Sequence, residues 1–118
     1  MAQVREIEFK AKTVYDGKWV YGFPMHYANP HYDKWTIREP TGLEHDVEPE
    51  TICEYTGCDD ITGRRIYEGD VLAFGADSKS TVRYESGCFY VRHKKRTVCL
   101  GCKFVTKLLP VVINNIHE

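Results

Sequence analysis

Apolar and polar residues alternate over residues 4–11, with Ile7, Phe9 and Ala11 on one side and Glu6, Glu8 and Lys10 on the other. That period of two predicts a half-buried strand. Asp16-Gly17 supplies a turn, and Lys18-Trp19-Val20-Tyr21 brings the chain back as the second arm of a hairpin. Pro24 and Asn29-Pro30 punctuate the next stretch, and residues 34–39 form a short strand ending at Pro40-Thr41-Gly42. Residues 43–47 and 51–55 are strands on either side of Pro49, and residues 56–65, with two glycines and two aspartates, are a loop. Residues 66–74 read as strand, turn and strand around Gly69-Asp70, and residues 81–84 pair with 88–93 across Glu85-Ser86-Gly87. No window longer than two turns keeps a helical period, and Pro110 interrupts the aliphatic stretch 104–113, so at most one short helix is expected. The pattern predicts a mainly β fold.

Composition agrees, since eight Tyr, five Phe and two Trp suit a pleated, half-buried surface. At 118 residues the chain has room for one domain or two small interlocked barrels. A formal charge of −1 argues against wholesale wrapping of nucleic acid and leaves room only for a local basic patch. No apolar run approaches a membrane span and the first residues are charged, so a cytoplasmic protein without membrane contact is expected. Five cysteines cannot all pair within one chain, and in that compartment they are expected as reduced thiols.

The most specific stretch is residues 47–71, where Pro49-Glu50-Thr51 leads to Tyr55-Thr56-Gly57, a polar Asp and Gly loop follows, and Ile66-Tyr67-Glu68-Gly69-Asp70 enters the next strand. It resembles the signature of the YopX family of phage and prophage proteins. Arg5-Glu6-Ile7-Glu8-Phe9-Lys10-Ala11, Trp19-Val20-Tyr21-Gly22 and Val112-Ile113-Asn114-Asn115-Ile116 extend the resemblance over nearly the whole chain. Two positions depart from the pattern: Cys58 stands where the family usually carries an apolar residue, and Asn114-Asn115 replaces Gly-Asn. The resemblance implies one YopX-like unit over residues 1–118, with an N-terminal β part, 1–55, and an SH3-type barrel in the C-terminal half, 56–118. It carries no enzymatic activity with it.

Physically, that signature is scaffold: Gly57, Gly63 and Gly69 suit positive φ, and Asp59, Asp60 and Asp70 can hold turns through their own backbone. An acidic metal site from Asp59, Asp60, Glu68 and Asp70 is the functional alternative, but the spacing matches no calcium loop. Cys99-Leu100-Gly101-Cys102 with Cys53 and Cys58 offers four thiolates for zinc. In an extended strand, however, Cys99 and Cys102 point to opposite faces, and no metal or other cofactor is expected. Tyr90, Arg92, Lys94, Lys95 and Arg96 set cations beside aromatics, as in grooves that stack single-stranded bases. The plainer reading is a hairpin with a solvated Lys94-Lys95 tip and Arg92 and Arg96 on its arms.

Histidines 26, 31, 45, 93 and 117 show no ligand spacing, and no serine sits in a nucleophile elbow, so no catalytic residue is assigned. Two classes of function remain. The first is a binding or assembly module that self-associates or takes an unknown protein partner, with Tyr27, Tyr32 and Trp35 as interface anchors around a Pro-punctuated loop. The second is a nucleic-acid-binding module using residues 89–96, which requires Arg83, Arg92, Lys94, Lys95, Arg96 and Lys103 to share a face. The near-neutral chain favours the first.

Overall fold

The opening alternation becomes β1 (Phe9–Lys12), which the turn around Asp16-Gly17 returns as β2 (Trp19–Asn29), antiparallel, with Ala11 opposite Val20. The computed structural model describes residues 6–75, 78–100 and 108–118. The chain divides into two units, Met1–Glu54 and Tyr55–Glu118. In the first turn, Thr13 N donates to Lys18 O (3.0 Å), and the Asp16 carboxylate accepts from the Thr13 hydroxyl and from Lys18 N. Those bonds, the Thr13 one foremost, hold the Asp16 carboxyl below its ordinary pKa.

β2 does not break at Pro24, contrary to the expectation from sequence; it runs 11 residues and pairs with β3 (Tyr32–Arg38) as far as Asn29 opposite Tyr32. The reason lies in its neighbours. Pairing with β1 stops at Gly22, so from Phe23 onward β2 pairs with β3 alone, and a missing N–H is tolerated on the other side. At the changeover, a Cβ on Gly22 would lie 2.1 Å from Arg38 O, with φ at +156°, so only glycine fits. Asn29 Oδ1 then closes the Pro30-His31 turn by accepting from His31 N and Tyr32 N.

β3 pairs with β4 (Glu44–Val47), and a bridge between Thr13 and Val47 carries β4 back to the end of β1. The sheet therefore curls over its own core of Ala11, Ile37 and Val47, with Phe9, Val20, Trp35 and Ile52 packed against it. A 3-10 turn, Pro49–Thr51, precedes β5 (Cys53–Asp59), whose first two residues pair with β1.

In the second unit, Tyr55 to Asp59 of β5 pair with β6 (Arg65–Tyr67) across a register shift. Strand thus occupies half of what the sequence presented as a loop over 56–65, and residues 60–64 turn. One buried side chain organises them. Asp60 Oδ1 accepts from Thr62 N, Thr62 Oγ1 and Arg64 N, and Oδ2 accepts from Val112 N at 2.9 Å. The glycines behave as the sequence suggested, with φ near +89° at Gly57 and Gly63 and +87° at Gly69.

The strands that follow are β7 (Asp70–Ala73), β8 (Lys79–Thr81), β9 (Arg83–Glu85), β10 (Cys88–His93), β11 (Arg96–Cys99) and β12 (Val111–Asn115). They form two three-stranded antiparallel sheets, ordered β12-β7-β8 and β11-β10-β9. The single residue Val82 hands the chain from one sheet to the other, its N donating to Asp70 O and its O accepting from Gly69 N, both at 2.8 Å. Both sheets cover one core of Ile66, Leu72, Val82, Val91 and Val112. Asp70 stitches its edge, accepting from Tyr67 N and from Asn115 Nδ2. Among the described residues these sheets do not close into a ring, so the fold is mainly β while the SH3-type barrel expected for the C-terminal half is not confirmed. No helix of the described residues is long and apolar enough to cross a membrane.

Candidate binding surfaces

Alternation along β2 places Trp19, Tyr21, Phe23, Met25 and Tyr27 on the face of the first unit turned away from its core. Register sets Lys10 and Lys12 of β1 beside Trp19, with their ammonium groups 4.3 and 5.4 Å from the ring centre, and Lys34 5.8 Å from Tyr27. These are cation–π contacts. Lys10 is buried at 4% exposure, although the sequence pattern had set it on the polar side. Tyr21 and Phe23 remain about half exposed.

The Tyr27 hydroxyl donates to Glu44 Oε1 (2.7 Å), and Thr36 Oγ1 donates to the same oxygen (2.8 Å). The Tyr27 bond first and the Thr36 bond second hold the Glu44 carboxyl below its ordinary range, and the same Glu44 contact raises the Tyr27 phenol. Tyr32 lies on this face at the far end of the hairpin, half exposed. Trp35 does not. It projects from the opposite face, stacked on His26 with ring centres 4.2 Å apart and packed on the Ile37 core. The trio Tyr27, Tyr32 and Trp35 therefore makes no single anchor cluster, because an odd offset along a strand changes face.

In the second unit, the outward face of β9, β10 and β11 carries Arg83 opposite Tyr90, Cys99 opposite Tyr90 on the other side, and Arg92 opposite Thr97. A groove of about 360 Å³ opens there, and its lining includes Glu85, Cys88, Tyr90, Arg92 and Cys99. The Tyr90 hydroxyl donates to Glu85 Oε2 at 3.2 Å. Lys94 and Lys95 form the exposed tip with φ of 51° and 66°, the left-handed pair that a two-residue hairpin turn demands. Arg96 is in register with His93, on the face opposite to Arg92. His93 turns inward, edge-on to Phe74 at 5.1 Å. The structure thus brings together Arg83, Tyr90 and Arg92, sets Lys94 and Lys95 at the tip, and places Arg96 across the strand plane. Lys103 lies outside the described residues.

The acidic and cysteine constellations separate. Asp60 and Asp70 spend their oxygens on backbone N–H groups and Asn115, and Asp59 accepts from the Tyr55 hydroxyl (2.6 Å). Among the described residues no group of three or more His, Cys, Asp or Glu could hold a metal ion. Cys53 is buried in the first unit with its thiol donating to Thr51 O, Cys58 packs on the core of the second, and Cys99 faces outward; Cys102 lies outside the described residues. The sequence reading overlooked Cys88, which the β10 alternation would have placed with Tyr90 and Arg92.

A family model described as YopX protein matches residues 8–118. The chain belongs to the YopX family. No curated protein matches it. Its fold is similar to the crystal structure of protein EF1440 from Enterococcus faecalis, with a TM-score of 0.62 at 20% identity, covering 98% of this chain and 96% of that one. At that identity the likeness concerns the fold alone.

Proposed function

We propose that this YopX chain is a phage- or prophage-encoded, non-catalytic assembly module of the host cytoplasm. In this reading, copies associate head to tail, the basic second unit of one against the acidic first unit of the next. One observation carries it: the near-neutral chain charge hides a strong separation. Met1–Glu54 holds six Lys and Arg against ten Asp and Glu, net −4, whereas Tyr55–Glu118 holds ten against seven, net +3.

β11 is the outer strand of its sheet and follows the Lys94-Lys95 tip. An edge strand offers unpaired backbone groups, and cations beside it discourage pairing with its own copy while favouring an acidic partner. A head-to-tail contact is heterologous, so it builds rings or open chains rather than a two-fold dimer. The lack of a catalytic role is supported by Asp60 and Asp70, whose carboxylates hold backbone rather than face a cleft. The SH3-type description of the second unit is supported by the direct passage of the chain from one sheet to the other at Val82.

Light scattering at low salt is expected to give a mass above the 13.7 kDa chain, falling towards the single chain as salt screens the contact. The triple variant K94E/K95E/R96E should remain monomeric at low salt. A strictly monomeric wild type at high concentration and low salt defeats the reading.

A second reading rests on Arg83, Tyr90 and Arg92 sharing one face: a single-stranded nucleic acid stacked on Tyr90 with its phosphates on the arginines. Anisotropy titrations at two salt concentrations separate the two. Tight oligonucleotide binding that survives physiological salt and collapses in Tyr90→Ala and in R83E/R92E would replace the assembly reading.

A further inference from the structure

Cys88 and Cys99 are both free and both line the outward groove of the β9-β10-β11 sheet. The register explains their meeting. Cys99 stands directly opposite Tyr90, and Cys88 is two residues from Tyr90 on the same face, so the two cysteines are diagonal neighbours on adjacent strands. Their side chains turn away from the core, which takes Phe89, Val91, Val98 and Leu100 from the alternate positions. Cys88 follows the Ser86-Gly87 turn, where both residues have positive φ, and Cys99 ends the outer strand of the sheet.

We propose that Cys88 and Cys99 are a modification site, a dithiol that closes reversibly to an intramolecular disulfide with a low-molecular-weight disulfide as oxidant. Two features support it. The two thiols share one groove, where the Cys88 thiol donates to Phe89 O at 3.2 Å, and the neighbouring Cys99 thiol, ahead of burial, raises the Cys88 thiol. Cys99 is the exposed member and Cys88 the half-buried one, which fixes the order of events. Cys102, the sequence neighbour with which Cys99 makes a Cys-x-x-Cys motif, is not needed.

In the first step the Cys99 thiolate attacks one sulfur of the small disulfide, forming a mixed disulfide and releasing one small thiol, which carries away the proton Cys99 lost. In the second step the Cys88 thiolate attacks the Cys99 sulfur and expels the second small thiol. Two protein thiols are oxidised and one small disulfide is reduced to two thiols. The new bond would tie β10 to β11 across the basic tip and hold residues 88–99 in a closed loop.

The test is oxidation of the folded wild-type chain with oxidised glutathione, alkylation of remaining thiols, and peptide mapping without reduction. A Cys88 peptide linked to a Cys99 peptide is expected in wild type and equally in Cys102→Ser. In Cys88→Ser, Cys99 should retain glutathione as a stable mixed disulfide, because its resolving thiol is gone. Linkage of Cys99 to Cys102 in wild type would overturn the proposal. So would a wild type in which Cys99 keeps glutathione while Cys88 remains alkylated.

Discussion

The two units solve the same problem, burying enough of a small β structure, in different ways. The first curls one sheet until β4 touches the end of β1, and Ala11, Ile37 and Val47 fill the fold of the curl. The second stacks two short sheets on five buried aliphatic residues and pins their margins with the buried polar groups Asp60, Asp70 and Asn115. A curled sheet needs a hinge where backbone meets backbone. A pair of sheets joined through a single residue needs side chains to satisfy the N–H and C=O groups stranded at their margins. The first unit should therefore be most sensitive to added bulk at its hinge, and the second to loss of a buried acceptor.

The sharpest probe of that contrast is Gly22→Ala. Its Cβ meets the Arg38 carbonyl oxygen, main-chain atoms that cannot swing aside, so a loss on the order of 4 kcal/mol is expected from urea unfolding. A loss below about 1 kcal/mol would mean that the sheet does not turn there. In the second unit, Asp60→Ala strands the Thr62, Arg64 and Val112 N–H groups around a buried position. The expected cost is about 3 kcal/mol.

The same carboxylate makes the second unit sensitive to acid. Burial favours its neutral form, but bonds from Thr62, Val112 and Arg64 prevail and set its pKa below the ordinary 3.8. A group depressed in the folded state contributes stability above its unfolded pKa and loses it as pH falls through the folded value. Wild type should thus weaken progressively below about pH 4, and Asp60→Asn should flatten that limb of the stability curve. Glu44 of the first unit is also depressed, but it lies at the surface, so its share of the acid response should be minor. The smallest effect expected is at Lys34, whose exposed pair with Asp46 spans 3.6 Å. Lys34→Ala should change stability by less than about 0.5 kcal/mol, and a larger loss would show that the cation on Tyr27 matters to the curl.

Local signals made much of this legible. The Asp16-Gly17 and Ser86-Gly87 turns and the solvated Lys94-Lys95 tip follow from turn chemistry and period-two alternation, which act over a few residues, and the turn read around Gly69-Asp70 lies one residue earlier, at Glu68-Gly69. Pro24 misled because its cost depends on whether a third strand lies alongside, and that is a property of the sheet, not of the residue. Trp35 shows a related limit: its aromatic character fitted an anchor beside Tyr27 and Tyr32, but parity along β3 sets it on the other face, packed against the core. The bond from Val112 N to Asp60 spans 52 positions, and no local pattern announces it. Charge was misjudged by averaging, since −1 for the chain is the residue of −4 and +3.

That same bond governs the order in which the protein can be finished on the ribosome. The first unit has all its strand partners once Glu54 has emerged, and its pairings join segments close in the chain. The second must wait for β12, because Val112 supplies both an outer strand for β7 and the last donor for Asp60. Until then the core around Leu72 and Ile66 lacks Val112, and part of its apolar surface stays uncovered while the intervening 40 or so residues are made, on the order of several seconds at ordinary elongation rates. Folding of this half is in effect a race between completion and aggregation, run once per molecule.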